Sequence, residues 1–225
     1  MVRVLALVEG QTEQGFLEQC IQPVLAAQGI VLSARLIGKP GRKGGIRKWS
    51  VARREIVSLL KSDPASFLTT MFDLYGLRPD WPGRAGSLND RSRPDPAEVV
   101  EKAIRKDIST EFEPGLNRFI PYIQQYEFEA LLFADPGELA RVTENSDNET
   151  RFAQIVDECG GCEKINDNPN TAPSKRILDF SPNYQKRSSG LIAAQGIEIS
   201  KMRSCCPHFD QWLRRLESLA AHTAK

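Results

Sequence analysis

The chain has 225 residues, 40% of them hydrophobic and 26% charged, with a formal net charge of +1 at pH 7, values ordinary for a soluble globular protein able to bury a core. Its five cysteines (Cys20, Cys159, Cys162, Cys205, Cys206) are odd in number and irregular in spacing, which excludes a secreted disulfide framework. The opening MVRVLALVEG has too short an apolar run, with Glu9 behind it, for a signal peptide or a membrane span, so a cytoplasmic protein is expected.

Val2 to Val8 is nearly all apolar and β-branched in part, which predicts a strand buried on both faces, as in parallel sheets. Phe16, Leu17, Cys20, Ile21, Val24 and Leu25 then recur with the helical period until Gly29, with Thr12 as a candidate cap. Ile30 to Ile37 predicts a second strand. A flexible basic loop, Gly38 to Gly45, leads to a helix over Ile46 to Leu60. Phe67 to Phe72 predicts a third strand, ending at Asp73.

Leu74 to Arg93 is a long loop rich in Gly, Pro, Asp and Arg, either functional or poorly ordered. Asp95-Pro-Ala-Glu98 and Asp135-Pro-Gly-Glu138 both carry the signature of a helix start. Between those helices Phe119 to Gln124 predicts a fourth strand. Asn145 to Thr171 is expected to be loop around a short helix, and Phe209 to Ala221 an amphipathic closing helix with Phe209, Trp212, Leu213, Leu216 and Leu219 on one stripe. Alternating strands and helices predict an α/β fold with a largely parallel sheet, over 1–145, and a loop-rich helical extension, 146–225, packed on the same core.

Charge is unevenly placed. From Lys39 to Arg54 there are seven Lys/Arg and no acid, whereas Glu127 to Asp167 carries eleven Asp/Glu against three Lys/Arg. Such a layout suits a metal site meeting a phosphate backbone, and equally a solvated helix face. Cys159-Gly-Gly-Cys162 has a spacing used by zinc and redox sites, but no second such pair accompanies it. Only His208 could join Cys205 or Cys206 in a mixed site, and plain thiols are the expected state.

Ligands of parallel sheets bind outside the carboxyl ends of the strands, and three predicted ends carry acids. Glu9 and Glu13 flank the turn after the first strand, Asp73 closes the third, and Glu127 and Glu129 follow the fourth. Converging carboxylates suit Mg²⁺, a hard cation that takes oxygen ligands. Alternatively Glu13 is only a helix N-terminal charge and Glu9 a solvated loop residue. Glu127 and Glu129 cannot both face one way, so one ligand and one capping or supporting residue are expected there.

Taken in order, Glu9-Gly-x-Thr-Glu13, Phe72-Asp-x-Tyr-Gly-Leu77, Tyr126-Glu-Phe-Glu-Ala-Leu-Leu-Phe133 and Ala172-Pro-Ser-Lys-Arg-Ile177 resemble the bacterial family DUF4276, placed near the Toprim domains of topoisomerases and OLD-type nucleases. The resemblance runs from Val2 to about Leu216. It implies a Toprim-like sheet in which a Glu after the first strand acts as acid and base and an Asp-x-Asp holds Mg²⁺ (or Mn²⁺). Glu9 and Glu13 match the first acids and Asp73 the first Asp. Tyr75 stands where the second Asp belongs, so Glu127, Glu129 or Asp80 would have to supply the missing oxygen.

The expected metal ligands are therefore Glu9, Glu13, Asp73, Glu127 and Glu129. Glu9 and Lys175 are the expected catalytic residues, with Lys175 neutralising a scissile phosphate or its leaving group. Lys39, Arg42, Lys43, Arg47, Lys48 and Arg176 would track a nucleic-acid backbone, with Trp49 either stacking on a base or lying in the core. The function so implied is a divalent-metal-dependent nuclease on DNA or RNA. The resemblance further implies a bacterial anti-phage or restriction-like setting and an ABC-type ATPase partner. The alternative is a non-catalytic module of the same fold that binds metal, nucleotide or a partner.

Overall fold

A computed structural model describes residues 1–38, 45–87, 95–165 and 171–223. Its sheet is parallel throughout, in the order β2-β1-β3-β4, built from β1 (Val2–Val8), β2 (Ile30–Leu36), β3 (Phe67–Asp73) and β4 (Phe119–Ile120). A fifth short strand, β5 (Ile123–Gln124), continues along the same edge of β3. The chain is thus an α/β fold with a central parallel sheet flanked by helices.

Alternation along β1 places the two layers. Val4, Ala6 and Val8 face a core shared with Phe16, Leu17, Phe152, Phe209, Trp212 and Leu213, while Leu7 faces Ile56, Phe72, Val100 and Ile104. Both faces are covered, which is why the strand reads as a continuous apolar run. The second layer is made by α3 (Trp49–Ser62) and α5 (Pro96–Phe112). The first is made by α1 (Gln11–Phe16), α2 (Gln22–Ala26) and helices from the C-terminal third. A π-helical turn, Leu17–Ile21, joins α1 to α2. It lies immediately before Pro23, which has no N–H for the carbonyl four residues back.

Asp95 and Asp135 cap their helices as the sequence predicts, accepting from Glu98 N at 2.9 Å and Glu138 N at 3.1 Å. Other expectations need correction. Helix α1 is capped by Gly10, and Thr12 lies buried in its first turn. Asn145 to Thr171 is less irregular than predicted, since α7 (Asn148–Cys159) runs twelve residues and ends on Gly160 in the left-handed region. The C-terminal stripe is correct, all five residues being buried, with α11 (Pro207–Glu217) giving way to a 3₁₀ turn. Among the described residues no helix is long and apolar enough to cross a membrane.

The predicted fourth strand is interrupted at Pro121-Tyr122, because proline offers no donor to the ladder. Thr70 bridges the gap: its hydroxyl donates to Tyr122 O and accepts from Tyr122 N, each at 2.9 Å. Thr70→Val keeps the shape and strands both groups in a buried site. It is expected to lower stability by about 1–3 kcal/mol, read as a lower urea midpoint at unchanged slope. A wild-type midpoint would show that the hydroxyl does not hold the break together.

Candidate active site

The carboxyl edge of the sheet collects the acids. After β1, Glu9 O accepts from Gly45 N at 2.9 Å, and the Glu9 carboxylate accepts from the backbone of Ile46 and Asp73. A Cβ on Gly76 would lie 2.8 Å from Glu9 Oε2, and one on Gly10 would lie 2.7 Å from Glu13 Oε2. Glycine at these two positions leaves room for two carboxylates. Asp73, at the end of β3, accepts from the backbone of Phe128.

Beyond β5 the backbone takes an unusual step, with Tyr126 at φ 59°. Glu127 then caps a 3₁₀ helix, Phe128–Ala134, on which Glu129 is fully buried. The two glutamates part as their spacing requires. Glu127 Oε2 accepts from Ser174 N at 3.0 Å, at the start of α8 (Pro173–Phe180), while Glu129 turns into the cluster.

The cation that meets these acids is Lys186, whose Nζ lies 3.1 Å from Asp73 Oδ2 and 2.9 Å from Glu129 Oε2. Tyr184 OH donates to Glu129 Oε1 at 3.4 Å. Neither residue was a sequence candidate, for nothing in Tyr184-Gln-Lys186 sets this lysine apart. The one available signal was general: a buried acidic cluster requires a cation from somewhere.

One ammonium lies among Glu9, Glu13, Asp73 and Glu129, and the proton affinities of these four acids show how little it offsets their burial. Burial first, then the charge of Asp73, pushes Glu9 and Glu13 up to about 7. Glu129 is pushed up to about 7 by burial against the opposing pull of Lys186, and Asp73 is raised in the same way. Burial alone would lower Lys186, but Asp73, Glu129 and Glu13 outweigh it and raise it. Glu9 Oε2 and Asp73 Oδ1 are buried with no hydrogen-bond partner.

Hard oxygen donors with two orphaned atoms fit a divalent cation such as Mg²⁺ in kind. In placement, no three acidic, imidazole or thiol groups among the described residues stand ready to hold one. The cation actually among the acids is Lys186.

The other candidates are distributed as follows. Lys39, Arg42 and Lys43 lie outside the described residues. Arg47 and exposed Lys48 follow directly on Ile46, whose backbone donates to the Glu9 carboxylate. Lys175 is exposed on the first turn of α8, beside the Ser174 that holds Glu127, and Arg176 Nε donates to Thr171 O at 3.1 Å. Asp80 does not supply the missing oxygen, because its Oδ2 accepts from Trp49 N at 2.9 Å. Tyr75 donates its N–H to Tyr126 O, and its ring lies 5.6 Å from that of Tyr126.

Trp49 is core, 8% exposed, with Nε1 donating to Asp107. None of the five cysteines is in a disulfide. His208 pairs with Asp95 and Glu101, whose carboxylates attract its ring more strongly than a thiol can, so it joins no mixed site.

Comparison with curated proteins gives no match. Among solved structures the chain is similar to the C-terminal region of the Xanthomonas campestris pv. campestris OLD protein, at 14% identity and a TM-score of 0.48, over 100% of this chain and 99% of that one. Residues 8–217 match the domain of unknown function DUF4276. The chain therefore belongs to the DUF4276 family.

Proposed function

We propose that the protein is a Toprim-like, divalent-metal-dependent phosphodiesterase that cuts DNA or RNA, working in the cytoplasm. The observation that carries this reading is the convergence of Glu9, Glu13, Asp73 and Glu129, from three strand ends, on a partly buried edge with two orphaned carboxylate oxygens. A bound Mg²⁺ or Mn²⁺ would supply Lewis-acid polarisation of a phosphoryl oxygen and a more acidic water.

The chain's own residues do the rest. Glu9, Glu13, Asp73 and an acid of the Glu127/Glu129 pair would hold one or two ions. Glu9, with a carboxyl poised near neutrality, would take a proton from the attacking water at Oε2 and pass it to the leaving oxygen. Lys186 supplies positive charge at the same edge, and exposed Lys175 stands one residue beyond Ser174 as a further cation for a phosphate. Lys39, Arg42, Lys43, Arg47, Lys48 and Arg176 would track the backbone, Arg47 and Lys48 following closely on Gly45, whose N–H donates to Glu9 O. A bacterial anti-phage or restriction-like role with an ATPase partner belongs to the same proposal, on the family resemblance alone.

A second reading, a non-catalytic metal, nucleotide or partner-binding module, is favoured by Tyr75 in place of an acid and by the unassembled ligand set. The test is incubation with plasmid, single-stranded DNA and tRNA under Mg²⁺ or Mn²⁺, beside Glu9→Gln and Asp73→Asn. Cleavage lost in both variants is the expected result. Cleavage that survives both overturns the site, and none by the wild type, with a co-expressed ATPase present, favours the binding module.

A further inference from the structure

The Lys186 ammonium bridges Asp73 and Glu129. The two carboxylates are 11% and 0% exposed at their side chains, whereas that of Lys186 is 39% exposed, so the cation has a path to solvent that its partners lack. It is carried on a short π-helical turn, Lys186–Gly190, outside the sheet. The carboxylates stand on strand ends and on the 3₁₀ helix after β5. Glu9 and Glu13 also act on the cluster by charge, and a single positive charge does not match four acids. The oxygens left without partners, Glu9 Oε2 and Asp73 Oδ1, belong to the same acids.

We propose that the Lys186 ammonium marks the cation position of this site, and that it is displaced to solvent when a divalent ion binds among Asp73, Glu129 and Glu9. The inference rests on the reading of the cluster as a divalent-ion site. Lysine suits this role, being a flexible stem ending in a compact charge that can be solvated once released. It explains why the acids lie together although no three of them form a ligand set: with the ammonium in place, they are arranged around nitrogen. Metal and lysine then compete for the same oxygens, and the π-turn Lys186–Gly190 changes its tie to the sheet as the ion enters.

Two measurements test it. Manganese binding, followed by the loss of the free-ion EPR signal, is compared in the wild type and Lys186→Met. Reactivity of Lys186 toward an amine-acylating reagent is read by peptide mass spectrometry with and without Mg²⁺. The expected results are binding about tenfold tighter in Lys186→Met and Lys186 labelling that rises several-fold on adding Mg²⁺ to the wild type.

Binding with unchanged or reduced labelling overturns displacement, placing Lys186 beside the ion while the metal-site reading stands. No binding by either protein overturns the metal-site reading itself. The labelling arm uses the wild-type chain, so it decides the matter even where Lys186→Met fails to fold.

Discussion

His208→Gln is expected to destabilise the protein by about 3–5 kcal/mol, the cost of removing one member of a buried charge network. His208 stands in the first turn of α11, 93% buried, with Nδ1 3.0 Å from Asp95 Oδ2 and Nε2 2.9 Å from Glu101 Oε1. Its ring stacks on Tyr122, which in turn stacks on Trp212. Burial alone would lower the imidazolium pKa, but hydrogen bonds to Asp95 and Glu101 and their charges outweigh it and raise it to about 10. The ring therefore carries its proton at neutral pH. Glutamine cannot supply that charge, and it leaves two carboxylates facing each other.

The pH dependence follows from the direction of that shift. The folded pKa is raised from 6.5 to about 10, so the histidine's contribution is fully present below pH 6.5 and is lost as pH rises toward 10. Urea midpoints from pH 6 to 10.5 should fall in the wild type and stay flatter in the variant. A variant within about 1 kcal/mol of wild type, with a parallel pH profile, would show that the triad is dispensable.

Glu9→Gln carries the other large effect and acts in opposite directions on function and stability. The proposed phosphodiester cleavage is expected to fall by about 10²–10⁴-fold, the range for loss of a general acid–base group. Stability at pH 8 is expected to rise by an amount on the order of 1–3 kcal/mol, since the ionised Glu9 is held at a cost in a buried acidic cluster. Burial, then Asp73, raises its folded pKa from 4.5 to about 7. The folded state thus binds the extra proton between those values, and the penalty is absent below pH 4.5 and complete above about 7.

Thermal melts of the two proteins should therefore converge near pH 4.5 and separate by pH 8. A Glu9→Gln protein less stable than wild type at pH 8 would show that this carboxylate is paired favourably and is not held in reserve for a cation.

Much of the scaffold was legible before the structure because it follows from local chemistry. The apolar runs of β1 and β3, the Asp95 and Asp135 caps, and the helical stripe from Phe209 to Leu219 all obey short-range rules of period and capping. The acids were legible for the same reason: Glu9 and Asp73 are next to, or at, the end of an apolar run that must be a strand. Thr12 misled because it has a capping side chain, although Gly10 occupies the extended position from which the helix starts.

The sequence by itself determined the first three strands and the acids at their ends, because each depends on residues a few positions apart. Only the tertiary structure decided which cation meets those acids. Lys186 lies 113 residues from Asp73, and their ion pair exists because the C-terminal third packs back over the sheet edge. The same holds for His208, 107 residues from Glu101. A buried charge requires an opposite charge nearby, but that requirement names no partner. The packing of α/β layers chooses among the chain's 30 lysines and arginines and its two histidines.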